Sequence, residues 1–177
     1  MPESVESLLL DSIRFRFRGV KTLGDKTLEQ LSQDDLAWRP NDESNSAAVI
    51  IQHMHGNMLS RWTDFLTTDG NKSWRDRDGE FAEPDSVSRE KLLADWEEGW
   101  GCALSAIDAL EEADLTKVVL IRGEPLGVID AILRQLAHYS LHTGQLITIA
   151  KERLGADWKT MSIPRGQSSV YTPGKRD

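Results

Sequence analysis

Apolar residues return at steps of three and four from Ser4 to Leu31, at Leu8, Leu9, Ile13, Phe17, Val20, Leu28 and Leu31, with Arg14, Arg16 and Arg18 set between them. That period marks one face of a helix and predicts a long first helix. Trp38 to Ser46 then breaks the pattern with Pro40 and a run of small polar residues, which ends one periodic segment and offers N-caps to the next. A second helix is expected from about residue 46 to residue 67. The stretch from Thr67 to Pro84 carries Asp69-Gly70, a run of charged residues and a proline, and reads as a long connection of the kind that often holds functional groups. From Ser88, Leu93, Trp96, Trp100, Leu104, Ile107 and Leu110 fall at helical spacing opposite Glu97, Glu98 and Asp108, a third helix ending near Glu112. Val118 to Ile121 and Leu126 to Val128 are short β-prone runs around Arg122-Gly123-Glu124-Pro125, which predicts a small hairpin. Asp130 is placed to cap a fourth helix running through Ala131, Leu133, Leu136, His138, His142, Leu146 and Ala150, with Gly155 just past its end. The Ser-, Gly- and Pro-rich tail reads as irregular. Four helices with one crossover give an all-α four-helix bundle with a short β-hairpin between the third and fourth helices.

Composition narrows this. A chain of 177 residues with 39% hydrophobic and 28% charged positions fits one domain over residues 1–177. Lys and Arg number 21 against 29 Asp and Glu, a formal charge of -8, which argues against a nucleic-acid partner. The single cysteine, Cys102, cannot close a disulfide within the chain, so a reducing compartment, the cytoplasm, is expected. Met1-Pro2-Glu3-Ser4 lacks the basic, apolar start of a secretion signal, and the longest aliphatic run, Ala47 to Ile51, is far too short to span a bilayer, so no membrane partner is expected.

All four histidines fall in two tight clusters, His53 with His55 and His138 with His142, on the second and fourth predicted helices. His138 and His142 are one helical turn apart, so both imidazoles can reach one ion; Arg134 and Gln145 share their face. Ile129, Leu133, Leu136 and Ile147 make the other side of that helix apolar too, which would turn the histidines into the bundle, where buried imidazoles need partners. A third ligand from a neighbouring helix would complete three protein ligands with one coordination position open. Periodicity alone favours His55 as that ligand, because it shares a stripe with Ile51, Met58 and Trp62 while His53 lies about 160° away around the helix. An HxxxH pair also occurs by chance, so hydrogen-bonded core histidines in a metal-free bundle stand beside the metal reading.

Ser46-Ala47-Ala48 followed by His53, and the late His138-Tyr139-Ser140-Leu141-His142-Thr143-Gly144-Gln145, resemble the DinB/YfiT-like superfamily of metal-dependent enzymes. Gly56 to Leu66, Asp69-Gly70, Trp74 to Asp78, Ile121 to Glu124 and Ser162 to Ser168 look like one uncharacterised bacterial branch of it, so the likeness covers nearly the full chain. The resemblance implies a four-helix bundle in which one histidine of the second helix and both of the fourth hold a divalent metal ion, zinc or nickel. Carried over by motif, the ligands are His53, His138 and His142, against the vote of periodicity, and His55 becomes a packing residue. An apolar stripe competing with His53 for the interior then suggests a homodimer that covers both faces.

Asn57, one turn after His53, and Gln145, three after His142, are placed as donors beside such a site or as helix-to-helix hydrogen bonds. Asp64, eleven after His53, could accept a proton, with a surface ion pair as the simpler reading. Arg75 and Arg77 could meet an anionic substrate or pair with Asp76, Asp78 and Glu80 inside the connection. The resemblance also suggests that Arg165 and Gln167 fold back over the mouth of the site. Trp62, Trp96 and Trp100 read as core or interface anchors and Cys102 as packing. Related enzymes of the superfamily include S-transferases and an isomerase that use low-molecular-weight thiols, and hydrolases. The resemblance therefore points to a small-molecule substrate, and a non-catalytic or stress-associated metal-binding dimer is the alternative.

Overall fold

The computed structural model of the protein describes residues 4–169. Ser4 accepts from the Ser7 amide and caps helix α1, Val5–Leu28, whose buried Leu10, Ile13, Phe17 and Leu28 lie at helical spacing. The helix is shorter than its apolar period predicts. Ser32 and Asp35 form a reciprocal capping box that starts a separate short helix α2, Gln33–Ala37, and Leu31 is buried in the turn between them. Ser46 caps α3, Ala47–Trp62, which stops five residues earlier than expected, with Asp64 just beyond its end at φ 50°. Ser88 caps α4, Arg89–Asp108, also shorter than expected, and Arg14 donates to the carbonyls of Asp108 and Leu110 left free at its C-terminal end.

Strands β1, Val118–Ile121, and β2, Glu124–Gly127, form the expected hairpin, but its turn is only Arg122-Gly123; Glu124 and Pro125 belong to the second strand. Arg122 and Gly123 both have positive φ, as a two-residue turn matched to strand twist requires. Asp69 fixes this turn to the connection after α3, its carboxylate accepting from the amides of Asn71, Arg122 and Gly123. The N-cap of helix α5, Val128–Leu154, is Gly127, three residues before the predicted cap, and Asp130 sits in the first turn, where its charge suits the helix dipole. Gly155 ends it at φ 53°.

The four long helices form the bundle, α3 packing on α4 and α5 and α1 on α4 and α5, with the hairpin between α4 and α5 in sequence. Each long helix gives one aromatic side chain to the middle of the core: Phe17, Trp62, Trp100 and Tyr139, joined by edge-to-face contacts with ring centroids 5.5–6.1 Å apart. Trp96, the other predicted anchor, is buried on α4 and donates to Asp25 on α1. The Trp62 indole donates to the Tyr139 hydroxyl at 2.9 Å, and that hydroxyl donates to Asn57 Oδ1 at 3.1 Å. This chain locks the rotation of α5 against α3, and it lies one residue from His138 and one turn from His53. The apolar stripe of α3, including Ile51, Met54, Met58 and Trp62, is buried within the same chain, so the two-faced burial that suggested a homodimer needs no second copy. On the side of α5 expected to be apolar core, Leu133 is 47% exposed, whereas Ile129 and Leu136 are half-buried against the core. No helix among the described residues is long and apolar enough to cross a membrane.

Candidate metal centre

Rotation of α3 decides which of its histidines points inward. His53 is 5% exposed, whereas His55 is half-buried and turned to α4, where its Nε2 lies 2.9 Å from Glu98 Oε2. The periodicity argument for His55 fails because α3 is covered on nearly all sides, by α4, by α5 and by the connection that follows it, so its less apolar face is buried as well. Across from His53, the turn spacing of α5 stacks His138 over His142. His53 Nε2 lies 3.2 Å from His138 Nε2, and His138 Nε2 lies 3.0 Å from His142 Nε2.

The far nitrogens set the protonation. Glu80 Oε2 is 3.0 Å from His53 Nδ1, and Gln145 Oε1 is 2.8 Å from His142 Nδ1. Both partners are acceptors, so each Nδ1 carries the hydrogen and donates it, leaving a bare lone pair on each Nε2. His138 lies between these lone pairs and, as a neutral ring, has one hydrogen to give to two neighbours. Its own Nδ1 is buried with no hydrogen-bond partner among the described residues. Protonation does not resolve the crowding. Burial, then the neighbouring His142 and His53, then Arg75 and Arg61, push His138 down to about 3, and burial also lowers His142.

Three imidazole nitrogens converge with too few hydrogens between them, an arrangement that a divalent cation satisfies. Around a tetrahedral ion with ligands at about 2.0–2.1 Å, neighbouring nitrogens sit roughly 3.3 Å apart, close to the spacing found. His53, His138 and His142 are the three His, Cys, Asp or Glu side chains grouped here among the described residues, so no fourth such residue closes the set.

The long connection proves to be part of the site. Its 3₁₀ turn, Gly79–Phe81, brings Glu80 to His53, and Arg75 clamps the Glu80 carboxylate through Nε at 2.6 Å and Nη2 at 2.7 Å. Arg75 therefore pairs inside the connection, and the half-buried Arg77 forms no ion pair among the described residues. Burial raises the Glu80 carboxyl, but the Arg75 and His53 hydrogen bonds outweigh it and hold the group below its ordinary range. Phe81 stacks on the His53 ring at 4.4 Å between centroids while remaining 46% exposed, and so forms one wall of the centre.

The remaining sequence candidates divide. Gln145 touches the cluster directly. Asn57 serves the α3 to α5 hydrogen-bond chain. Asp64 is exposed beyond the end of α3, eleven residues after His53, and lines a different depression with Phe65 and Ala106. Arg134 is exposed. Cys102 is half-buried with Thr63 Oγ1 at 3.7 Å. Arg165 and Gln167 do not cover the mouth: both are exposed, and the segment leading to them runs beside α1, where Lys159 and Met161 meet Gln30 and Thr27. Glu80 is the residue that sequence reasoning placed only as an internal ion-pair partner; the signal for more was an acid five residues after Arg75 and three after Arg77 in a loop too long for a simple turn. Gln145 also borders a groove of about 630 Å³ between α5 and the segment around Pro40 to Asn45.

A family model described as "Protein of unknown function (DUF1572)" matches residues 4–167. No curated protein matches the chain.

Proposed function

The chain belongs to the DUF1572 family, which carries no assigned function, and from its own residues we propose that it is a metal-dependent enzyme built on a three-histidine centre. His53, His138 and His142 would hold one divalent ion, zinc or nickel, and this is the site that the likeness to the DinB/YfiT superfamily implies. The observation that carries the reading is the convergence of three Nε2 atoms at 3.0–3.2 Å steps, two of them with Nδ1 already committed to Glu80 and Gln145. Such neutral donors suit zinc, nickel and other first-row ions, and add no negative charge. An ion held this way keeps its Lewis acidity and lowers the pKa of bound water to about 7, or activates a thiol in the same manner.

Two features support catalysis over a purely structural ion. Three side chains rather than four make up the donor set, which is the composition of sites that keep a position for water or substrate. Beside it runs a groove whose volume falls within the usual range for small-molecule sites, with Gln145 common to both. The substrate is a small molecule, a low-molecular-weight thiol by analogy with the superfamily's S-transferases, and the reaction is thiol transfer or hydrolysis. Elemental mass spectrometry of untagged protein, before and after chelation, tests the first step. One equivalent of zinc or nickel per chain supports the reading and opens a screen of thiol-transfer and hydrolysis substrates. No bound metal, together with no gain in thermal stability on adding it, refutes the reading.

A further inference from the structure

We infer that Glu80, seated against α3 in the space left by Gly56, is the positioning residue that decides which nitrogen of His53 faces the ion and how tightly the ion is held. The inference rests on the metal reading for its consequence, but its geometry stands apart from it. Glycine inside a helix is destabilising relative to alanine, so a mid-helix glycine asks for a local reason. Gly56 lies three residues after His53, on the side of α3 where the Gly79–Phe81 turn docks. A Cβ at this position would overlap the Glu80 carboxylate, falling 2.8 Å from its carboxyl carbon and 3.2 Å from Cγ. Only a residue without a side chain lets the acid lie flat on the helix and reach His53 Nδ1.

The rest of the turn is built to hold the carboxylate there. Arg75, whose side chain is only 1% exposed, grips both oxygens, and Gln52 on α3 donates to the Gly79 carbonyl at 2.9 Å. The acid is thus fixed from the loop by Arg75, from α3 by His53, and in depth by the missing Cβ. Because a carboxylate held by a guanidinium can only accept from the ring, the hydrogen stays on Nδ1 and the lone pair of Nε2 is presented to His138 and His142. His142 has a neutral amide in the corresponding place and His138 has no partner among the described residues, so His53 is the one ligand backed by a full negative charge.

The test compares glycine replacements that differ in this one respect. Gly101 on α4 has open space where a Cβ would stand, so Gly101→Ala should raise the melting temperature and leave zinc binding unchanged. Gly56→Ala should weaken zinc binding about 10- to 100-fold, as loss of a partner behind a metal-bound histidine does. Glu80→Ala should do the same, and Glu80→Gln, which keeps an acceptor oxygen, should recover part of the loss. Zinc affinity is read by competition with a chromophoric chelator, and the His53 tautomer by ¹⁵N shifts of its ring nitrogens in zinc-free and zinc-loaded protein. A loss of stability in Gly56→Ala and Glu80→Ala without change in zinc affinity or in the His53 tautomer overturns the inference. Should Gly56→Ala fail to fold, the near-isosteric Glu80→Gln and the Glu80→Ala pair carry the comparison alone. If the wild type binds no zinc, the metal reading fails by itself; a tautomer shift in zinc-free Glu80→Ala still upholds the positioning role, and its absence removes that too.

Discussion

Two histidines of α3, two residues apart, each meet a glutamate at nearly the same distance, and yet they do opposite things. His53 and Glu80 lie 3.0 Å apart with side chains 6% and 8% exposed, whereas His55 and Glu98 lie 2.9 Å apart at 21% and 64%. The outer pair even has the beginnings of a donor set, since Asp95 stands beside it, but Lys91 is already paired to Asp95 and Glu98 faces solvent. An exposed pair of this kind contributes little, about 0–1 kcal/mol, and water serves either partner as well as the other does. On the inner side the carboxylate is clamped by Arg75 and the ring's second nitrogen points at two more imidazoles. Pairing distance therefore says little about role; what distinguishes the inner histidine is that both of its nitrogens are committed, one to a buried acid and one to a point of convergence.

The sharpest way to break this comparison is to remove each histidine in turn. His53→Ala and His142→Ala should each abolish stoichiometric metal binding, and His55→Ala should leave it intact, as read by elemental analysis of the dialysed proteins. Metal retained by His142→Ala would sink the ligand assignment, and metal lost in His55→Ala would move the site to the outer face. A second and smaller effect is expected at Tyr139→Phe. It would leave the Trp62 indole N–H and the Asn57 carbonyl oxygen buried without their partner, at a cost of about 1–3 kcal/mol in denaturant unfolding. Because the same hydroxyl sets the rotation of α5 beside His138, zinc affinity should fall along with stability; affinity unchanged at lowered stability would show that the inner geometry does not depend on that lock. Smaller still is the outer pair itself. Glu98→Gln should shift unfolding free energy by less than about 1 kcal/mol, and a larger loss would mean that the outer pair is more than a surface contact.

The contrast also explains what could be read in the sequence. The turn spacing of His138 and His142, the caps at Ser4, Ser46 and Ser88 and the stop at Gly155 are local signals, and the structure has them. The break between α1 and α2 is local too, in the capping pair Ser32 and Asp35, but the apolar period running on to Leu31 masks it. The choice between His53 and His55 is not local. It depends on how many sides of α3 the rest of the chain covers, and a hydrophobic stripe reports only the most apolar of them. The resemblance to the DinB/YfiT-like superfamily pointed to the inner histidine where periodicity did not. Neither could place Glu80, because its approach to His53 is set by the path of the connection and by an absent side chain at Gly56, which no pattern of apolar residues encodes.

Asp69 isolates one component of that inner arrangement, a carboxylate held by convergent donors without deep burial. The Gly123 amide first, then those of Asn71 and Arg122, stabilise its charged form and hold the carboxyl below its usual value near 3.8. A group whose folded value is depressed adds stability above its unfolded value and loses it as the pH falls through the folded one. Replacing Asp69 with Asn should therefore lower the melting temperature by roughly 2–4 °C at neutral pH, the response of a domain of this size to the loss of about one hydrogen bond's worth of free energy. The gap between the two proteins should stay constant down to about pH 5 and close below pH 4, because the wild type gives up the same contribution on protonation. A gap that persists unchanged in acid would mean that the turn is held by shape rather than by the charge on Asp69, and that convergent donors alone do little without the burial that surrounds Glu80.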